Sequence, residues 1–225
     1  MHKLGSVWLL FLVGAASLGA LPSVSAADPA ESTSASALEN KEPGKQETSV
    51  GSLVADAFRA AARADIALVA AGDLKASAEP IAAGKVRSGD IAALVAYPDD
   101  RVVVLALDGR KIREALERSV TSYPRPALAF LQVSGLKLAF DPARPVGSRV
   151  TSVTVGKTPI GNDQAYTVAM LSSLADGALG YWKVWSRKNV VGKLPSTASS
   201  DAIDSYLKAN QKLDYAALNR ITLVK

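Results

Sequence analysis

Residues Arg101 to Ser119 read RVVVLALDGRKIREALERS, a Val-rich apolar run that passes through Asp108-Gly109 into a stretch with a helical repeat. The run to Leu107 has no polar interruption, which fits a strand covered on both faces better than one washed by water on alternate residues. Beyond the turn, Ile112, Ala115, Leu116 and Ser119 share one face at the 3.6-residue period. An amphipathic helix ending before Pro124 is expected there. A strand buried on both sides needs a layer on each, so the chain has to fold as stacked helices and sheets.

The rest of the pattern fits that demand. Val50, Leu53, Val54, Ala57, Phe58 and Ala61 follow the i, i+3, i+4, i+7 spacing, with Thr48 or Ser49 to cap the helix start. Ile66 to Ala70 is a short buried strand ended by Gly72-Asp73, and a loop with Pro80 and Gly84 follows. A short helix is expected over Ile91 to Ala96, before Tyr97-Pro98-Asp99-Asp100. Further on, Leu136, Leu138 and Phe140 alternate with Lys137 and Ala139, and Pro142 to Gly147 turns the chain into Val150 to Val155. After Gly161-Asn162-Asp163 comes a strand from Tyr166 to Leu171. Asp201 to Ala209 reads as a helix capped by Ser200, and Ile221 to Val224 as a last edge strand.

The 225 residues suffice for one well-buried domain with tails. Residues 1–26 read as a signal peptide, with His2 and Lys3 as a basic start, an apolar run from Val7 to Leu18, and Val24-Ser25-Ala26 as a small-residue cleavage site. Gly14, Gly19 and Pro22 interrupt the run short of the roughly 20 residues that cross a bilayer, which disfavours a retained anchor. Export to the periplasm or outside the cell is the expectation, with no membrane span after cleavage. Residues 27–45, rich in Ser, Ala, Glu and Pro, read as a disordered linker, and residues 46–225 as the folded domain.

Composition then excludes function classes. Removal of Lys3 with the signal lowers the formal charge from +5 to +4, and the basic residues are dispersed, without the clusters of a nucleic-acid groove. There is no cysteine, so stability has to come from the core, and thiolate chemistry is excluded. His2 is the single histidine and would leave with the signal, which removes the imidazole of a Ser-His-Asp triad or a common zinc site. Asp99-Asp100 and Asp141 match no calcium-loop spacing and read as surface turn residues.

Several motifs in order carry a resemblance: ETSVGSLVADAFR, ADIALV, Gly84 with Gly89-Asp90, VVVLALDGRKIREALE, FLQVSGLKLAFDPARPVGSRV and LADGALGY. From about Glu47 to Trp185 the chain resembles the C-terminal domain of the 5′-nucleotidase family. The resemblance implies an α+β fold, a layered α/β/β/α domain with a mixed sheet and amphipathic helices. It also implies a family context of nucleotide breakdown by hydrolysis. In full-length members a separate N-terminal domain holds the two catalytic metals, and residues 27–46 are too short to contain it. Neither catalytic nor metal residues are therefore assigned here, and no cofactor is expected.

The family's C-terminal domain is implied to hold a base between two aromatic rings with Arg groups near the phosphates. Tyr97 falls at the first ring, and Asp99 replaces an amide donor beside it. Ser173 falls at the second ring and Leu179 at an acidic position, whereas Gly177, Gly180 and Tyr181 are kept. Lys75 stands for an Arg, keeping charge without the planar fork. Gln132, Ser134 and Gly135 would line the pocket.

Each has a plain alternative. Tyr97 reads equally as a half-buried aromatic, Lys75 as a solvated loop lysine, and Gly135 as relief where strands cross; Trp182 and Trp185 read as packing residues. The implied partners are a nucleotide or nucleoside-like molecule and a separate metallophosphatase chain. Three functions follow: a non-catalytic binding module, the specificity subunit of a split metallophosphatase, or a degenerate structural or interaction domain.

Overall fold

The computed structural model describes residues 29–191, 197–217 and 219–224. The expected signal peptide lies outside them. The chain begins with strands β1 (Glu31–Ser34) and β2 (Leu38–Asn40), helix α1 (Ser49–Ala62), β3 (Ile66–Ala70), β4 (Ser77–Ile81), β5 (Gly84–Arg87) and helix α2 (Ser88–Ala92). Next come β6 (Arg101–Asp108), helix α3 (Gly109–Ser119), β7 (Leu131–Ser134), β8 (Leu136–Phe140), β9 (Val150–Val155), β10 (Thr158–Pro159) and β11 (Ala165–Leu171). The short helix α4 (Ser172–Ala175), β12 (Thr197–Ala198), helix α5 (Ser199–Ala209), β13 (Lys212–Leu213) and β14 (Ile221–Leu223) complete it.

A mixed five-stranded sheet in the order β12-β6-β11-β3-β7 is the centre. Strand alternation divides its side chains between two cores. Ile66, Leu68, Leu105, Leu107, Val168 and Met170 face one, packed with Ile112 and Leu116 of α3 and with Leu136, Leu138 and Val153 of the second sheet, β10-β9-β8-β14. Ala67, Val69, Val102, Ala169 and Leu171 face the other, packed with Leu53, Val54 and Phe58 of α1 and Ile203 and Leu207 of α5. Full burial of each such large apolar side chain stabilises the fold by about 2 kcal/mol. This two-sided cover is why the run at β6 carries no polar interruption.

Edge strand β7 alternates differently. Leu131 and Val133 join the first core, whereas Gln132 and Ser134 are polar and buried against the α1 side. Their polar atoms are all engaged. Gln132 donates to the carbonyls of Pro43 and Gln46 (2.9 and 2.7 Å) and accepts from the Thr48 amide (3.0 Å). Thr48 caps α1 as expected, accepting from the Gly51 amide at 3.0 Å.

Three local expectations are corrected. The segment 27–45, expected to be a disordered linker, carries β1 and β2 in its described part; β1 pairs with β13 and β5, and β2 with β4. Ser32, Ser34 and Asn40 are buried, but as bonded groups: Ser32 donates to the carbonyls of Leu207 and Asn210, and Asn40 to that of Lys75. A polar sequence can be ordered when distant backbone completes its bonds, which composition does not reveal. The helix expected over Ile91 to Ala96 instead spans Ser88–Ala92, and Val95 bridges to Leu74. At α5 the cap residue is Ala198 in place of Ser200, because loop carbonyls perform the capping.

Candidate functional site

Strands β3 and β11 run parallel, and antiparallel β6 begins where β11 ends, since Leu171 pairs with Val102. The loop before β6 and the start of α4 therefore meet at one end of the central sheet. Between them is a cleft of about 550 Å³ lined by Ala96, Tyr97, Pro98, Asp99, Asp100 and Ser173. The loop is anchored from behind by α5. Ser199 Oγ donates to the carbonyls of Tyr97 and Pro98 (3.0 and 2.8 Å), and the amides of Ser199 and Ser200 donate to those of Asp100 and Pro98 (2.9 and 3.0 Å). The loop thus satisfies amides that a helix start leaves open, and the helix fixes the loop in return. Tyr97 is left 57% exposed, its ring free to cover a ligand.

Asp100 is the fixed charge of this cleft. Its carboxylate accepts from the Ser172 hydroxyl, from the Ser173 amide at 3.3 Å and from the Arg101 amide at 2.7 Å. Partial burial pushes its pKa up, but the bonds from Ser172 and Ser173 outweigh that and hold it below the usual carboxylate value. Just behind lies Asp73, only 4% exposed, which accepts from the Ala70 amide at 3.1 Å. Burial raises Asp73 to about 6, against the opposing Ala70 bond and with a further push from Asp100. Asp73 was not among the expected site residues. Its one sequence signal is an acid directly after Gly72, where a turn reading already accounts for it.

The other expected residues do not assemble here. Lys75 lies outside the cleft lining and donates to the Ala93 carbonyl at 3.1 Å. Gln132 is wholly buried with its bonds spent inside. Ser134 and Gly135 sit at the opposite end of the sheet, because β7 runs antiparallel to β3 and places Ser134 beside Ala67. A Cβ on Gly135 would meet the Asp65 carbonyl at 2.1 Å and its φ is +80°, so this glycine does relieve a crossing.

Tyr181 is a core residue. It has 0% exposure, donates to the Ala129 carbonyl at 2.6 Å and stacks on Trp185 with ring centroids 4.8 Å apart. Burial raises its phenol pKa, so it stays neutral and structural. Gly180 packs under Arg118, whose guanidinium donates to the Leu179 carbonyl. Trp182 and Trp185 part company: Trp185 is buried with its indole N–H on the Leu174 carbonyl, whereas Trp182 is 66% exposed.

With this geometry in place, similarity to known proteins decides the ancestry. Residues 25–186 match the family described as 5′-nucleotidase, C-terminal domain. The chain belongs to that family. The apyrase of Aedes albopictus is 28% identical over 193 residues, covering 80% of this chain and 33% of the mosquito protein. A trifunctional nucleotide phosphoesterase of Bacillus subtilis is 30% identical over 145 residues, 60% of this chain and 10% of its own length. The 5′-nucleotidase precursor of Thermus thermophilus superposes with a TM-score of 0.74 at 25% identity, covering 88% of this chain and 40% of that one. NAD nucleotidase from Haemophilus influenzae shares the fold at 15% identity and a TM-score of 0.68. The chain thus spans about a third of the length of the first curated relatives it matches.

Tyr97 and Ser173, expected at the first ring and the lost second one, line the same cleft. The metal pair implied by the resemblance does not fit these residues. Among the described residues no group of three or more His, Cys, Asp or Glu could hold a metal ion.

Proposed function

We propose that this chain is a recognition module that binds a nucleoside-like ligand in the Tyr97 cleft and does not hydrolyse it unaided. The observation that carries this reading is the exposed Tyr97 ring on a loop clamped by α5, beside a cleft whose opposite wall is Ser173. A pre-positioned ring loses little freedom on stacking, and one base on one ring contributes roughly 1–3 kcal/mol. The cleft lining contains Asp99 and Asp100 and neither Lys nor Arg. An uncharged nucleoside is therefore preferred over its phosphate ester, which the carboxylates would repel.

Export of the module rests on the pattern of residues 1–26 and accords with relatives such as a snake venom 5′-nucleotidase. Calorimetric titration with adenosine, uridine and AMP checks the reading. Wild type is expected to give saturable heat with a nucleoside and weaker heat with the nucleotide, both lost in Tyr97→Ala. No heat at millimolar nucleoside sinks it.

A second reading, an interaction part for a separate metallophosphatase chain, is supported by the exposed Trp182. Phosphate release that appears only on mixing with such a chain, and fades in Trp182→Ser, distinguishes it from the first.

A further inference from the structure

The end of the sheet opposite Tyr97 carries a larger cleft, of about 730 Å³, whose lining includes Asp56, Arg59, Ser134, Gly135, Lys137 and Arg220. Its floor is a neutralised pair. Arg220 donates to both oxygens of Asp56 at 2.8 Å each, and Asp56 also accepts from Tyr215 at 2.9 Å and from Ser134. Four donors saturate that carboxylate, so it offers no free acceptor and cancels the Arg220 charge.

The rim is different. Arg59, in the last turn of α1, spends its Nε on Ser134 Oγ at 2.9 Å, and its terminal nitrogens have no protein partner among the described residues. That single bond fixes the plane of the guanidinium. Lys137, the first outward residue of β8 after Gly135, likewise has no partner for its ammonium among the described residues. Both cations line this cleft: the missing side chain of Gly135 leaves room for Arg59, whose Cδ would lie 3.0 Å from a Cβ there, and Lys137 follows two residues later. Asp65 also lines the cleft, its Oδ2 held by the amide and hydroxyl of Thr167 at 2.8 and 2.7 Å, so the two rim cations face this one carboxylate beside the neutralised pair.

We propose that this cleft is an anion site for a phosphate group, gripped by the free edge of the Arg59 guanidinium and the Lys137 ammonium. A guanidinium held in plane presents two parallel N–H donors to two phosphate oxygens, and the ammonium adds a point charge. Such a grip on a neutralised, rigid floor needs no rearrangement of the protein.

Titration of the full chain with inorganic pyrophosphate, followed by amide chemical shifts at constant ionic strength, tests the assignment. Saturable shifts are expected around Ser134 to Lys137 and Arg59. Arg59→Gln and Lys137→Gln are each expected to weaken binding about tenfold with the circular dichroism unchanged, the factor that loss of one charge-assisted contact produces. Tyr97→Ala is expected to leave it intact. Shifts reproduced by sodium chloride at matched ionic strength overturn the proposal, as do unchanged affinities in both variants. Binding to anionic phosphatidylglycerol vesicles that excess pyrophosphate does not displace overturns it as well.

Discussion

Where β3 and β11 stop, an exposed ring stands beside two carboxylates; where β3 starts, the cations of Arg59 and Lys137 line a cleft with the saturated Asp56–Arg220 pair. The five residues of β3 separate these ends by on the order of 15 Å. The first cleft is shaped by a loop whose carbonyls cap a helix, and its charge is held by hydroxyl and amide donors. The second is shaped by a partly buried ion pair that ties the C-terminal segment to α1. Charge of either sign can be displayed at a sheet end, but the device that fixes it decides what its loss costs. Removing a hydrogen-bonded loop residue affects the site, whereas removing a partly buried, paired ion affects the fold.

The sharpest way to break that contrast is Arg220→Ala. It strands Asp56 among partly buried neighbours, and a loss of about 4 kcal/mol in urea-unfolding stability is expected. A loss below about 1 kcal/mol would place the pair with ordinary surface bridges.

At the other end, Asp73→Asn tests the carboxyl behind the Tyr97 cleft. Folding raises this carboxyl from 3.8 to about 6, so between those values the native state keeps a proton that the unfolded chain has released. Stability contributed by Asp73 therefore falls as pH rises from about 4 to about 6 and stays low above that. The amide keeps the Ala70 contact without ionising. The variant is expected to gain up to about 3 kcal/mol over wild type at pH 7 and little at pH 4, read from unfolding curves at both.

Tyr97→Ala is expected to cost roughly 2 kcal/mol of nucleoside affinity, about thirtyfold, while thermal stability shifts little because the ring is exposed. Pyrophosphate binding at the far end should not change. The smallest effect is that of Thr48→Ala, which removes the α1 cap and is expected to cost about 1 kcal/mol of stability with both clefts unaltered.

Much of the fold was legible because periodicity reports burial. The uninterrupted β6 run, the helical face of α3 and the spacing in α1 each named an element that packs as read. The segment 27–45 differs from its composition because much of its burial is polar: Ser32 and Asn40 carry no apolar pattern, and the carbonyls they donate to lie 35 to 178 residues away. The site was legible only in part. Tyr97 and Ser173 do share a cleft, but Ser134 and Gly135 were grouped with them by motif alone, and antiparallel pairing of β7 with β3 sends them to the other end. Tyr181 kept its family identity for packing, since its hydroxyl and ring are both consumed inside the core.

By itself the sequence determined the layered α+β architecture, the family and the poverty of catalytic donors, because apolar period, motif order and residue counts are properties of the chain. Which polar groups stand free was decided only by tertiary structure. Asp56, Arg59, Arg220 and Lys137 look equivalent in the sequence. Asp56 and Arg220 neutralise each other across 164 residues, whereas Arg59 and Lys137 are exposed and have no ion-pair partner among the described residues.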